Sequence, residues 1–273
     1  MSKTGSWRHS LHWLVLILSI GTTLLATWLT YEGGRTDSLE YFDRLTNRKI
    51  SEIGAASGEI EQSLRGAAGM FTVMGEPAPA QWSSYVAALG QKEAPPSMVE
   101  LGYATAGGST ATAAVRVKLA AAFGGRLFVD AGDALDGRAG VAAALARADA
   151  DGAPALTRKM AGVPGRAGFG PGALMLLPVR SNGRTSGYVF AVVRLDDLAA
   201  QVARADAGYF RLRAYEGREQ TAASMIFSPA AGDSRPEFVK VATVLIGGQI
   251  WTLVFESTPA LDGLLETDRK SVV

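Results

Sequence analysis

The residues with the clearest potential for chemistry are three carboxylates. They lie in "VDAGDALDG", where Asp130, Asp133 and Asp136 recur at every third position. Such Asp and Gly spacing is typical of turns and helix caps. The same carboxylates could accept hydrogen bonds from a ligand, and a suitably spaced pair could hydrolyse a glycoside. The cluster therefore predicts a turn first, a ligand contact second and catalysis last.

Nucleophilic and metal-dependent catalysis lack their usual residues. The chain has no cysteine, and its two histidines, His9 and His12, lie at the N-terminal apolar segment. A Ser-His-Asp or Cys-His nucleophile, a His-ligated zinc and a phospho-accepting histidine are therefore excluded from the rest of the chain. "GRAGFGPG" has no G-K-[ST] ending and does not fit G-x-G-x-x-G, so it predicts a flexible loop. This inventory favours a binding module without a cofactor over an enzyme.

Composition and length predict a folded protein of modest size. The 273 residues are 48% hydrophobic, which suits one large domain or two small ones. The formal net charge of +1 gives no general reason to expect a nucleic-acid partner.

An apolar segment near the N-terminus has the features of a membrane span. Residues 11–31, "LHWLVLILSIGTTLLATWLTY", contain no Asp, Glu, Lys or Arg. As a helix they would extend about 31 Å, enough to cross a bilayer. Lys3 and Arg8 precede them, which favours a cytoplasmic N-terminus. A cleaved signal peptide is the alternative, but its apolar core would be shorter and followed by an A-x-A-like site. We expect an uncleaved anchor in the lipid bilayer of the inner (cytoplasmic) membrane, with the chain after Glu32 in the periplasm.

A long amphipathic helix is predicted directly after this segment. Apolar residues recur mostly at spacings of three, four or seven, with charged residues on the other faces. They are Leu39, Phe42, Leu45, Ile53, Ile60, Leu64 and Phe71. A helix over residues 35–76 would suit a stalk, and we expect its face carrying Leu39, Phe42, Ile53, Ile60 and Leu64 to pair with a second copy. The alternative is a helix packed on its own domain.

A hairpin with two apolar strands is predicted in the middle of the chain. Leu174–Val179 and Tyr188–Val193 are nearly continuous apolar runs, so we expect both faces of their sheet to be covered. Asn182 and Gly183 supply the turn between them. An Ala-rich helix over residues 139–152, closed by Gly152, should precede this hairpin.

A second block of strands follows. "YFRLRAY" alternates, with Phe210, Leu212 and Ala214 on one face. "FVKVATVLIGGQIWTLVFES" predicts a hairpin around its Gly-Gly pair, with Trp251 and Phe255 on a common face. The chain thus contains two small mixed α/β units in series.

Two segments of the chain resemble the CHASE domain, the extracellular sensor of bacterial and plant receptor kinases and cyclases. They are "LFVDAGDALDGRAGVAAALARADADGAPALTRKMAG" and "PGALMLLPVRSNGRTSGYVFAVVRLDDLAAQV". The matching marks are an Asp before a helix, "ADADGAPALT", "LLPV" and "GYVFAVVRLDDL". Upstream "QWSSYVAAL…LGYA" and downstream "WTLVFESTP" fit the family's edges, so the likeness covers roughly residues 80–260.

The resemblance implies a dimeric sensor with a small ligand in its membrane-distal module. In the plant cytokinin receptors, which are similar in these motifs, an Asp and strand backbone groups hold an adenine derivative. Carried over, the Asp falls on Asp133, with Asp130 as the fallback, and the backbone contact falls on Leu156 beside Thr157. The candidate ligand-binding residues are Asp133, Leu156, Thr157, Leu176, Phe190 and Tyr103.

The sequence departs from the family pattern in two places. Phe190 and Ala191 stand where the plant receptors carry glycines, so an inward-pointing Phe190 would occupy volume that a planar base needs. The ending "LLETDRKSVV" stops where the family usually enters a second membrane span and an output domain. The resemblance therefore implies that the chain is the sensor part of a longer protein.

Together these features predict an α+β fold with an N-terminal transmembrane helix, a long stalk helix and two PAS-like mixed α/β modules in series. The predicted boundaries are 1–10 for a cytoplasmic N-terminus, 11–31 for the transmembrane helix, 35–76 for the stalk, 80–205 for a membrane-distal ligand-binding module, 206–260 for a membrane-proximal module and 261–273 for the lead-in to a second transmembrane helix.

The leading functional hypothesis is a sensor that binds a small ligand and signals through its stalk to a histidine kinase or diguanylate cyclase domain missing from the chain. One alternative is a ligand-free envelope scaffold that dimerises or binds a protein partner. The other is a carboxylate hydrolase.

Overall fold

The structure, a computed structural model, describes residues 6–92, 94–106, 114–124, 127–138, 140–160, 170–181, 183–204, 206–229 and 235–261, with the backbone alone for residues 6–15, 26–37, 92 and 106. Helices and strands follow one another in the order α1 (Ser6–Met74), α2 (Pro79–Lys92), β1 (Met98–Ala106), β2 (Val115–Ala122), α3 (Val141–Asp151), β3 (Ala155–Leu156), β4 (Gly172–Ser181), β5 (Arg184–Arg194), α4 (Leu195–Arg204), β6 (Phe210–Glu216), β7 (Met225–Phe227), β8 (Val239–Ile246) and β9 (Gln249–Ser257). The predicted α+β class is confirmed.

The predicted span and stalk lie in a single helix. α1 runs from Ser6 to Met74, where the sequence predicted separate elements at 11–31 and 35–76. The chain divides into two compact units, one containing α1 up to Leu45 and the other containing Thr46–Leu261.

The side chains of only part of the predicted membrane span are described. No helix among the described residues has the length and hydropathy of a span. The predicted span falls in part on residues 11–15 and 26–31, whose side chains lie outside the described part of the chain. The predicted lead-in to a second span, residues 261–273, lies outside the described residues except for Leu261. Most of the glycine-rich loop also lies outside them.

The apolar face of α1 is buried within its own chain. Ile53, Ile60 and Leu64 have no exposed surface, and Phe42 is also buried, whereas Leu39 is 44% exposed. The prediction that this face pairs with a second copy is therefore wrong from Ile53 to Leu64. Its physical reason is that the domain following in the same chain already covers the apolar stripe, so no second copy is needed to exclude water.

Contacts at both ends of the segment 46–74 show how α1 packs on this domain. Lys49 is buried, and its Nζ lies 2.7 Å from Oδ2 of Asp206. Near the other end, the ring of Phe71 stacks on Tyr103 of β1, with 4.0 Å between the centroids. The segment is thus held at points more than 20 residues apart.

The first sheet has five antiparallel strands in the order β2-β1-β5-β4-β3. Helix α3 covers one face, here called the α3 face, through Val141, Ala144 and Ala148, which join the core of this sheet. The stack of Phe71 on Tyr103 lies on the opposite face, here called the α1 face. The apolar character predicted for β4 and β5 is confirmed, because their central residues are buried on both faces.

The second sheet has four antiparallel strands in the order β7-β6-β9-β8. The predicted alternation is confirmed, since Phe210, Leu212 and Ala214 are all buried. The hairpin β8–β9 turns at Gly247 and Gly248, whose φ angles of 51° and 74° suit glycine.

Candidate functional site

Asp133 lies in a turn that is tied to the edge of the first sheet. Its backbone N–H donates to Asp130 O at 3.1 Å, and its carbonyl accepts from Val117 N of β2 at 2.9 Å. The carboxylate accepts from Asp130 N at 3.2 Å and from Arg138 Nη2 at 3.1 Å. Its side chain is 42% exposed, so the ion pair with Arg138 is open to water. Asp133 combines the predicted turn role with a carboxylate that a ligand can reach.

A buried carboxylate holds the start of this same loop. Glu100 of β1 has no exposed surface, and its Oε2 accepts hydrogen bonds from the backbone N–H groups of Phe128 and Val129. Its other oxygen, Oε1, is buried without a hydrogen-bond partner in the described part of the chain. Burial raises the pKa of Glu100 to about 7, and the negative charge of the nearby Asp130 raises it further. The hydrogen bonds from the two backbone N–H groups and the positive charge of Arg138 act in the opposite direction.

Glu100 and Arg138 were missed from the sequence. The signal for Glu100 was one charged residue inside the apolar run "MVELGYA", which alternation places on the same face as Gly102 and Ala104. Arg138 gave no local signal, because only the fold of the turn brings its guanidinium next to the Asp133 carboxylate. Its guanidinium carbon also lies 5.7 Å from the centroid of the Phe128 ring.

Leu176 and Phe190 form part of the core on the α3 face. They are direct neighbours across β4 and β5, and neither has exposed surface. The Phe190 ring packs against Gly102, where an added Cβ would lie 2.2 Å from Cζ of Phe190. Phe190 therefore points inward. Its ring fills the volume that a planar base would need, as the glycines of the plant receptors at this position suggested.

The candidate side chains are divided between the two faces of the sheet. Leu156 pairs with Met175, one residue away from Leu176 along β4, so its side chain points to the α1 face. Tyr103 is on the α1 face as well, where it stacks on Phe71. Leu176, Phe190 and the turn at Asp133 remain as a group on the α3 side, where Leu135, two residues after Asp133, joins the core. The structure does not bring all six side chains into one pocket.

The backbone of Leu156 already has hydrogen-bond partners. Its N–H donates to Gly247 O at 2.7 Å, and its carbonyl accepts from Arg147 Nη2 at 2.7 Å and Gln249 Nε2 at 3.2 Å. Thr157 is bonded to β4 instead, with its N–H donating to Leu174 O at 2.8 Å and its Oγ1 accepting from Leu174 N at 3.0 Å.

Residues 155–160, here called the bridging segment, therefore connect the two sheets. Beyond Leu156 and Gly247, the N–H of Lys159 donates to Oε1 of Glu216 in β6 at 2.6 Å. The Lys159 ammonium donates to the carbonyls of Ala223 and Met225 beside and within β7. A movement of β3 relative to β4 would therefore displace residues of the second sheet through these hydrogen bonds.

Among solved structures, this fold is similar to ligand-binding domains of bacterial receptors. One is the domain of the Pseudomonas aeruginosa PAO1 amino-acid chemoreceptor PctC in complex with GABA, with a TM-score of 0.52, 14% identity, and coverage of 80% of this chain and 98% of that one. Another is that of the Pseudomonas fluorescens chemoreceptor CtaA in complex with L-leucine, with a TM-score of 0.55, 14% identity, and coverage of 83% and 97%. A third is an extracellular ligand-binding receptor from Desulfohalobium retbaense DSM5692, with a TM-score of 0.54, 14% identity, and coverage of 78% and 39%. At these identities the likeness shows the fold.

The likeness to a protein family comes from the sequence comparison. Residues 138–227 match the family model of the CHASE domain, which confirms the resemblance seen in the motifs. The comparison with curated proteins finds no match. Over these residues the chain is similar to the CHASE sensor domain.

Proposed function

We propose that the chain is the extracytoplasmic sensor region of a membrane signalling protein. A small ligand binds at the first sheet, and the change passes through the bridging segment to the second sheet and through α1 to a cytoplasmic histidine kinase or diguanylate cyclase. The observation that carries the proposal is the double attachment of the bridging segment, to Leu174 on one side and to Gly247 and Glu216 on the other. A ligand can shift such a system only if it binds one arrangement better than the other.

The ligand site we propose lies on the α3 side, between the turn at Asp133 and the hairpin residues Leu176 and Phe190. The Asp133 carboxylate is the acceptor, and a ligand N–H would replace the exposed hydrogen bond from Arg138. Arg138 would then be free to pair with an acidic group of the same ligand. A molecule with both an amine and a carboxylate, such as an amino acid, suits this pair, in keeping with the GABA and L-leucine named for the two chemoreceptors.

Leu156 and Thr157 take part in this proposal as the moving edge of the site. Ligand binding above Leu176 would shift β3, which pairs with β4 through Ala155 and Leu156. The hydrogen bond from Leu156 N to Gly247 O would transmit that shift. Tyr103, on the α1 face, takes no part in this site.

A ligand-free interaction module is the second candidate function. The observation that favours it is the complete burial of Leu176 and Phe190, which leaves a ligand only the rim of the site unless the Phe190 ring moves. In that case the packed core would only support the outer surface of the domain, and the partners of the protein would be other proteins or a second copy.

A screen of the full chain for thermal stabilisation by small metabolites, with amino acids and GABA included, distinguishes the two functions. A true ligand must raise the melting temperature because it binds the folded state. Asp133→Ala should then weaken binding by about 1.5–3 kcal/mol, roughly 10- to 150-fold. Asp136→Ala, in the same loop and exposed, is the matched control. Equal affinity in both variants would show that Asp133 is a turn residue only, and Asp130 would become the candidate acceptor.

We also propose that the N-terminal part of α1 anchors the protein in the inner membrane, with Met1 in the cytoplasm. The proposal is supported by the uncharged residues 11–31 and by Lys3 and Arg8 before them. Mass spectrometry of the membrane fraction should find the original N-terminus. A mature N-terminus near residue 27 or later would show cleavage instead.

A homodimer through α1 remains part of the proposal, on the faces that the domain does not cover. Single cysteines are clean probes because the chain has none. A cysteine at Leu39, which is 44% exposed, should form a crosslink between copies in membranes, whereas one at the buried Ile60 should not. Crosslinking at Ile60 alone would restore the buried face as the contact.

A further inference from the structure

A carboxyl group inside the first sheet fixes the start of the loop that carries Asp133. This loop, residues 127–138, is here called the Asp133 loop. Glu100 of β1 has no exposed surface, and its Oε2 accepts hydrogen bonds from the N–H groups of Phe128 and Val129, the second and third residues of the loop. The position of the loop start therefore depends on one side chain of another strand.

The surroundings of the Glu100 carboxyl suit its neutral form. The residues directly opposite Glu100 are Ala122 of β2 and Val192 of β5, so neither adjacent strand offers a charge at this level. The charged groups that face it come from the Asp133 loop, where Asp130 is negative and Arg138, already in an ion pair, is positive. Oε1 of Glu100 is buried without a hydrogen-bond partner in the described part of the chain. Ionisation would leave a charge on a carboxyl group that water does not reach, which costs more than burying the neutral acid.

The start of the Asp133 loop also positions the Asp133 carboxylate. Val129 is followed directly by Asp130, whose N–H donates to Oδ2 of Asp133 at 3.2 Å and whose carbonyl accepts from Asp133 N at 3.1 Å. The later part of the loop is held separately by β2, where Gly132 N donates to Val117 O at 2.8 Å. Release of the loop start would therefore disturb Asp133 while the later part stays on β2.

We propose that a proton on Glu100 keeps the start of the Asp133 loop closed, and that loss of this proton releases Phe128 and Val129 so that water reaches the carboxylate. The release displaces Asp130 and with it the carboxylate of Asp133. The loop start is then a pH-dependent element at the edge of the ligand site, and its effect on ligand binding rests on the function proposed above.

The direction of the response follows from the state that holds the proton more tightly. Burial raises the pKa of Glu100 from 4.5 to about 7 in the closed loop, whereas a hydrated Glu100 in the released loop has an ordinary pKa. Below about pH 4.5 both states hold the proton, and release is rarest. From there to pH 7, release becomes about tenfold more frequent per pH unit, and above pH 7 it levels off because both states are ionised.

Amide hydrogen exchange of the full chain, read at single residues by mass spectrometry, measures the release without any ligand. The exchange rates of the Phe128 and Val129 N–H groups are corrected for the intrinsic effect of pH. Their protection should fall roughly 50- to 100-fold between pH 5 and pH 8. At every pH it should also be lower than that of the central strands β4 and β5, because those strands need a larger unfolding to exchange.

Two variants and a control assign the effect to Glu100. Glu100→Gln removes the titration, so the protection of both N–H groups should stay constant with pH. Asp130→Asn removes a negative charge that helps to hold the proton, so the fall should be smaller and should level off at a lower pH. This variant keeps Glu100 and provides the test should Glu100→Gln fold poorly. Asp136→Asn changes an exposed carboxylate of the same loop and should behave as the wild type.

Two results would overturn the proposal. One is protection of Phe128 and Val129 that is constant with pH in the wild type, or that falls equally in Glu100→Gln. The other is protection equal to that of β4 and β5 at every pH, because Glu100 would then be exposed only when the whole domain unfolds. The ligand site is tested separately, since a screen for thermal stabilisation that finds no ligand would contradict that site and leave the exchange result unchanged.

Discussion

The buried carboxyl group of Glu100 should make the stability of this protein depend on pH. Its pKa is raised from an ordinary 4.5 to about 7, first because burial disfavours the charged form. Below about pH 4.5 the group is protonated in both the folded and the unfolded chain. As the pH rises from 4.5 to 7, the unfolded chain releases its proton first, so the folded state loses stability.

The size of this effect follows from the shift. Each pH unit within that window removes about 1.4 kcal/mol, so the full loss is about 3 kcal/mol and is complete just above pH 7. Glu100→Gln removes the titration. Its carbonyl oxygen can still accept from the N–H groups of Phe128 and Val129, while its amide nitrogen replaces the unpartnered oxygen. Any cost of burying that amide is the same at every pH.

Urea unfolding of the wild type and of Glu100→Gln between pH 5 and pH 8 measures this. The unfolding free energy of the variant minus that of the wild type should rise by about 2–3 kcal/mol over this range. Glu59→Gln, which removes an exposed carboxylate of α1, is the matched control. If the difference in unfolding free energy between Glu100→Gln and the wild type stays constant with pH, the conclusion that Glu100 is buried with a raised pKa is refuted.

Two further substitutions test the packing. Asp206→Asn should lower the unfolding free energy by about 1–3 kcal/mol, because it removes the carboxylate that lies next to the buried ammonium of Lys49. Chemical denaturation measures this loss, and an unchanged midpoint would contradict the prediction. Gly102→Ala should lower it by at least about 1–3 kcal/mol, since the new Cβ would lie 2.2 Å from the Phe190 ring and 2.8 Å from the Leu119 carbonyl. Adding Phe190→Leu to Gly102→Ala should recover part of the loss, and a purely additive double variant would argue against this contact.

Local sequence patterns determined the elements of this protein. The two apolar runs around Asn182-Gly183 predicted the strands β4 and β5, and Gly152 ends α3 with a φ of 63° as expected. The alternation in "YFRLRAY" placed Phe210 and Leu212 inside. These predictions hold because periodicity, turn residues and helix ends depend on neighbours within a few positions. The CHASE motifs added the class of protein on the same local basis.

The candidate sites depended on the tertiary structure. A continuous apolar run shows that both faces of a strand are covered, but it does not show which face a ligand could reach, so Leu156 and Tyr103 were grouped with Phe190 although they lie on the opposite face. The amphipathic stripe of α1 was equally consistent with a second copy or with its own domain, and only the fold places that domain over Ile53 and Leu64.

Partners that are distant along the chain gave no sequence signal at all. Glu100 is buried because the loop at Phe128 folds over it, and Lys118 meets Glu76 from a strand that lies 42 positions further along the chain. Burial, a raised pKa and ion pairs between distant residues are properties of such long-range contacts. The sequence sets which residues are present for these contacts, whereas chain topology decides which of them meet.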